Sequence, residues 1–150
     1  MTIERALLSD LDGLIALMRQ YYAYDRLEFD PDRAASAMAQ LIGTSEYGAV
    51  WLLRDGSRIA GYLALCLGFS LESGGRDAFL DEIFVMEPFR NRGWGSKLIE
   101  TALEAAELAG VCSVHLTVEQ SNPHALRLYR RHGFIPRRAT MLTRRCASRA

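Results

Sequence analysis

The run Phe79-Leu80-Asp81-Glu82-Ile83-Phe84-Val85, then Met86-Glu87-Pro88-Phe89, then Arg90-Asn91-Arg92-Gly93-Trp94-Gly95-Ser96, limits the fold more than any other part of the sequence. Its first part is dominated by apolar and aromatic residues and predicts a strand over Phe79 to Val85. From Gly95 to Ala109 the residues Leu98, Ile99, Ala102, Leu103 and Ala106 recur at helical spacing and stop at Gly110, which predicts a helix. A glycine turn therefore joins a strand to a helix N-terminus. Amides without intrahelical partners and about half a positive charge from the macrodipole make such a turn suited to a pyrophosphate. Gly93 and Gly95 let a ligand approach closely, and Arg90 and Arg92 add charged donors. The residues fit neither a Walker loop nor a dinucleotide fingerprint, because Gly93-x-Gly95 is followed by Ser96-Lys97-Leu98. Taken alone, the turn is open to two readings, a phosphate site or a plain tight connection.

The rest of the chain surrounds this unit with further elements. Thr2 to Leu7 predicts a short strand, with Ser9 as N-cap of a helix whose apolar face carries Leu11, Leu14, Leu17, Met18, Tyr21 and Tyr22. Asp30-Pro31 opens a second helix and Gly43 closes it. Ala49 to Arg54 and Arg58 to Leu67 predict two antiparallel strands around the turn Asp55-Gly56-Ser57. Gly68 to Asp77, with three glycines and two serines, reads as a loop able to cover a substrate. Val114, Leu116 and Val118 alternate with His115 and Thr117 as in a half-buried strand, Asn122-Pro123 caps a helix running to Gly133, and Phe134 to Arg144 completes the sheet. This order predicts a mixed sheet with helices on both faces, an α/β (α+β) chain forming one domain over residues 1–150.

Charge narrows the function classes. Lys plus Arg number 18 and Asp plus Glu number 18, so there is no global field for gripping nucleic acid or an anionic membrane. The arginines near the end, from Arg137 to Arg149, read as a solvated strand and tail. Cys66, Cys112 and Cys146 are odd in number and far apart, which argues against disulfides and a zinc site. No leader pattern and no apolar run of about 18 residues is present, so the expected location is cytoplasmic with no membrane partner.

Arg90-x-x-Gly93-x-Gly95 after Val85-x-x-Pro88 resembles the coenzyme A motif of GNAT acetyltransferases. About thirty residues downstream, Val118-Glu119-x-x-Asn122-x-x-Ala125-x-x-Leu128-Tyr129-x-x-x-Gly133-Phe134 resembles the second signature of that family. The resemblance implies a mostly antiparallel sheet of about six to seven strands, splayed between the fourth and fifth. It implies acetyl-CoA as cosubstrate, with Ile83, Phe84 and Val85 along the pantetheine arm, Arg90, Asn91, Arg92, Gly93, Trp94, Gly95 and Ser96 at the pyrophosphate, and Asn122 at the pantetheine. Asn122 is equally suited to cap a helix through its side-chain oxygen, and Trp94 to pack.

Acetyl transfer needs a neutral amine, a stabilised oxyanion and a proton for the departing thiolate. Tyr129 matches the family tyrosine that supplies that proton, a phenol protonated at neutral pH. Glu82 or Asp81 would take the amine proton or hold a cationic substrate. Strand alternation puts them on opposite faces, so only one can face the substrate directly; Glu82 is the candidate catalytic carboxylate and Asp81 a candidate substrate contact, while the residues leave base and binder open between them. The stretch Leu80 to Ser96 looks like that of diamine and polyamine acetyltransferases, which implies a small primary amine as acceptor. Tyr24, Asp25 and Glu28 fall in a region that shapes the acceptor site in the family, whereas Tyr21 and Tyr22 continue an apolar stripe and read as packing. The alternatives are an N-terminal or lysine acetyltransferase acting on proteins, and a non-catalytic coenzyme A-binding module. Family members are often dimers, and the last strand, with Met141 and Leu142, would provide a homodimer edge. With no metal expected and no cysteine in either motif, transfer would be direct within a ternary complex.

Overall fold

The computed structural model describes residues 1–147. Strand β1 (Thr2–Arg5) leads through a 3-10 turn at Leu8–Asp10 into helix α1 (Leu11–Tyr24). Ser9 does not cap this helix. Asp10 Oδ2 instead accepts from the Leu7 amide at 2.8 Å, holding the turn that starts it. Helix α2 (Pro31–Gly43) begins as the sequence predicts, with Asp30 Oδ1 accepting from the amides of Asp32 and Arg33 at 3.1 Å. Strands β2 (Gly48–Asp55), β3 (Arg58–Ser70) and β4 (Gly75–Val85) follow, then helix α3 (Trp94–Leu108), strand β5 (Ser113–His115) and helix α4 (Pro123–Arg131).

The sheet order is β1-β2-β3-β4-β5, antiparallel except for the parallel pair β4 and β5. Its central strands are buried on both faces, which is why β2 reads as a continuous apolar run rather than an alternation. On one face Trp51, Leu53, Leu63, Leu65, Ala78 and Leu80 pack with Leu98, Ile99, Ala102 and Ala106 of α3. On the other, Val50, Leu52, Tyr62, Ala64 and Phe84 pack with Leu14, Leu17 and Met18 of α1 and Met38 of α2. Fully burying each leucine of these stripes contributes roughly 1.5–3 kcal/mol, and this rather than helix propensity fixes α1 and α3 to the sheet.

Three further sequence expectations are corrected. The sheet has five strands among the described residues, not six or seven, because Phe134 to Arg144 forms none. Ile135, Met141 and Leu142 of that segment are 82%, 63% and 90% exposed. Gly68 to Asp77 is not a covering loop. The ladder runs on through Gly68↔Asp77 and Ser70↔Gly75, leaving only the turn 71–74. Gly68 is paired within this ladder, and a Cβ there would come within 2.7 Å of the Asp77 carboxylate across it. The third correction concerns β4. Ala64 pairs with Glu82 and Leu65 with Leu80, so Asp81 is an extra residue in a bulge and the alternation resets there.

Candidate active site

Pairing between β4 and β5 covers only Asp77↔Ser113, Ala78↔Val114 and Phe79↔His115. Beyond Phe79 the two strands part while β3 stays paired with β4 up to Val85, so among the described residues one edge of β4 from Leu80 to Val85 has no strand beside it. This is the expected splay, in a strand that carries Ile83, Phe84 and Val85 to the glycine turn. One acceptor at its end, the Val85 carbonyl, is taken by Arg90 Nε at 2.6 Å.

The turn itself is a nest. Asn91 (φ 59°) and Gly93 (φ 80°) are left-handed, and the first bond into α3 runs from the Lys97 amide to the Gly93 carbonyl at 3.1 Å. The amides of Trp94, Gly95 and Ser96 therefore lack intrahelical partners at the positive end of the helix. A Cβ at Gly93 would meet no atom within 4 Å, so its glycine serves the φ, while a Cβ at Gly95 would only touch Leu128 at 3.7 Å. This cradle of open amides fits a pyrophosphate. The Arg90 side chain turns away from it: its guanidinium lies 4.6 Å from the Tyr24 ring centre and 5.1 Å from that of Phe84. Arg92 has no hydrogen-bond partner among the described residues. Trp94 packs against the α3 face of the core, with Lys97 Nζ 4.5 Å from its ring centre.

Asn122 caps α4, its Oδ1 accepting from the Ala125 amide at 3.1 Å, which leaves its NH2 group for another partner. In the last turn of α4, Tyr129 lies half-buried beside Phe134, ring centres 6.0 Å apart. Burial, and secondarily the charge of Asp25, push its phenol above the ordinary tyrosine value, so it is protonated at neutral pH. His132 Nε2 stands 2.9 Å from Ser96 Oγ, tying the end of α4 to the first turn of α3, a link that a lone histidine in the sequence does not announce.

On the α1–α2 face opens a cleft of about 1050 Å³. Because of the bulge, Asp81 and Glu82 both line it rather than standing on opposite faces. Cys66 of β3 lies beside them on the sheet side, and Glu28, Asp30 and Arg33, with Arg145 of the C-terminal segment, complete the lining. Glu82 is held between two phenols: Tyr22 of α1 donates to Oε1, and Tyr62 of β3 donates to Oε2 at 2.6 Å. Burial raises the Glu82 carboxyl above the usual range, and the two phenols act against that rise. Asp81, without a hydrogen-bond or ion-pair partner among the described residues, is raised by desolvation alone. Burial first, then the charges of Asp81 and Glu82, push the Cys66 thiol up to about 11. The acceptor residues expected from the sequence are thus divided. Glu28 joins the acidic cleft, whereas Tyr24 stacks with Arg90 and Phe84, and Asp25 follows the end of α1 within electrostatic reach of Tyr129. Sequence reasoning missed Tyr22 and Tyr62. For Tyr62, fully buried, the only signal is that a buried phenol needs a partner.

Residues 12–134 match the sequence model of the Acetyltransferase (GNAT) family. The chain belongs to that family. As a GNAT N-acetyltransferase it is an acyltransferase, and the cosubstrate of the family is acetyl-CoA. It is 26% identical over 134 residues to the uncharacterized N-acetyltransferase YhfO of Bacillus subtilis, covering 89% of each chain. It is 35% identical over 57 residues, 37% of this chain and 38% of the other, to the spermine/spermidine N(1)-acetyltransferase of Bacillus subtilis. An integron cassette protein from the mobile metagenome of Cole Harbour Salt Marsh superposes with a TM-score of 0.87 at 28% identity, over 97% of this chain and 91% of that one. The GNAT fold accounts for the splay beside the glycine turn. No helix among the described residues is long and apolar enough to cross a membrane.

Proposed function

We propose that this GNAT enzyme transfers an acetyl group from acetyl-CoA to a primary amine of a small, multiply cationic molecule of the diamine or polyamine class, by direct attack in a ternary complex. The observation that carries this reading is the acidic cleft: Glu28, Asp30, Asp81 and Glu82 outnumber Arg33 and Arg145 along its walls. Asp30 is engaged at the α2 N-terminus, which leaves Glu28, Asp81 and Glu82 to attract ammonium groups. The partial likeness to a spermine/spermidine acetyltransferase agrees with it.

When bound, acetyl-CoA supplies a thioester carbonyl for the amine to attack. The nest at Asn91 to Ser96 would hold its pyrophosphate, the open edge of β4 at Ile83 and Phe84 its pantetheine, and the free NH2 of Asn122 the same arm. Glu82 takes the proton that the acceptor ammonium must lose, while Asp81 and Glu28 hold the remaining positive charge. Tyr129 Oη keeps the proton that the departing sulfur needs. Cys66 lines the cleft, but its thiol is protonated at neutral pH and a poor nucleophile, which supports direct transfer over an acyl-cysteine.

The test is thiol release from acetyl-CoA over a panel of diamines, polyamines, aminoglycosides, amino acids and basic peptides. Turnover highest on diamines or polyamines is expected. A preference for monoamines, or for peptides, would overturn the acceptor assignment, and coenzyme A binding without turnover on any amine would overturn the catalytic one.

A further inference from the structure

The two phenols on Glu82 do more than fill the core. Tyr22 comes from α1 and Tyr62 from β3, and each donates to a different oxygen of the same carboxylate. A carboxylate held at both oxygens from two elements cannot rotate without breaking one of these bonds, yet each oxygen retains acceptor capacity toward the cleft. Asp81, on the same wall, has no such support. We infer that Tyr22 and Tyr62 are positioning residues for proton uptake, fixing the direction in which Glu82 meets the acceptor ammonium. This rests on Glu82 being the base, as proposed above.

The inference has an electrostatic consequence. Glu82 is faced by Tyr21 of α1, Cys66 of β3 and Asp81 of β4, with Glu28 and Asp30 ahead of α2, Arg33 on α2 and Arg145 across the cleft. Beside these, Tyr22 and Tyr62 are the groups that hydrogen-bond the ionised form, so they oppose the rise caused by burial and by the neighbouring Asp81 charge. Removing a phenol must therefore raise the proton affinity of Glu82. Rotational freedom and protonation then both reduce the fraction of molecules ready to accept a proton at neutral pH.

The experiment titrates the protein free of cosubstrate, with carboxyl-labelled glutamate read by carbon NMR and the Glu82 signal assigned by its loss in Glu82→Gln. Wild type, Tyr22→Phe and Tyr62→Phe are compared, each checked for an unchanged tertiary spectrum. The Glu82 midpoint is expected to rise by about one pH unit in each variant, roughly a tenfold gain in proton affinity. The acid limb of kcat/KM for the amine should move upward by a similar amount, with KM for acetyl-CoA unchanged. A midpoint that stays put in both variants would overturn the inference. A midpoint that moves while the kinetic limb does not, with that limb surviving in Glu82→Gln, would show that Glu82 is not the base, and the positioning role falls with that assignment. Tyr22→Phe keeps the test decisive even where Tyr62→Phe, at a fully buried site, fails to fold.

Discussion

At the scale of the residue, the site depends on which protons are held and where. For Tyr129 as the proposed proton donor, Tyr129→Phe should lower kcat by about a hundredfold, the range of a lost general acid, with little change in KM for acetyl-CoA in steady-state assays. Asp81 shows the cost of keeping a cleft charged. Its folded carboxyl is raised by desolvation, so the folded chain binds the proton more tightly than the unfolded one. Stability then falls as pH rises from the unfolded carboxylate range through the raised folded value. Asp81→Asn should accordingly raise the thermal midpoint at about pH 8 and lose that advantage at about pH 3, where both states are protonated. The same substitution should weaken the cationic acceptor, a stability gain bought from function. Cys66 makes the opposite case: Cys66→Ala should leave transfer intact, and a dead variant with normal coenzyme A binding would reopen a covalent route.

At the scale of the element, two backbone irregularities build the site. The nest before α3 requires a left-handed residue at Gly93, and an alanine there costs about 1–2 kcal/mol of strain without meeting any neighbouring atom. Gly93→Ala should therefore lower the thermal midpoint modestly and weaken acetyl-CoA binding in calorimetry, whereas Gly95→Ala, only in ordinary contact with Leu128, should fold as well as wild type. The bulge in β4 is the second device. Deleting Asp81 would restore a regular ladder, because Glu82 and Leu80 already face consecutive residues of β3. Such a variant should fold and bind acetyl-CoA, yet show KM for a polyamine raised about tenfold, near the 1.4 kcal/mol expected of one lost charged contact. The bulge was illegible beforehand. Alternation is the only rule a strand sequence offers, and whether one residue is extra depends on the partner strand, here Ala64-Leu65 of β3.

At the scale of the molecule, the two apolar faces of the sheet are covered differently: α3 and α4 pack on the face beside the glycine turn, while α1 and α2 wall the acidic cleft proposed for the acceptor. Beyond Phe134, which packs beside Tyr129, the described residues of the C-terminal segment join neither core, and Arg145 stands at the acidic cleft. A chain ending after Arg138 should keep its unfolding midpoint and bind a cationic acceptor more tightly, because a competing guanidinium is gone; weaker binding would mean that the segment builds the site. The sequence by itself determined the strand, glycine turn and helix from Phe79 to Ala109, the cap at Asn122 and the family, because each rests on local geometry: a φ only glycine adopts readily, amides left open at a helix start, an apolar stripe at helical spacing. Only the tertiary structure decided that Asp81 and Glu82 share a face, that Arg90 turns from the cradle onto Tyr24 and Phe84, and that Phe134 to Arg144 adds no strand. It also decided that Tyr22 and Tyr62, sixty and twenty residues away from Glu82, meet on one carboxylate. The physical reason is common to all four: each is a relation between segments distant along the chain, set by register and packing that no local pattern encodes.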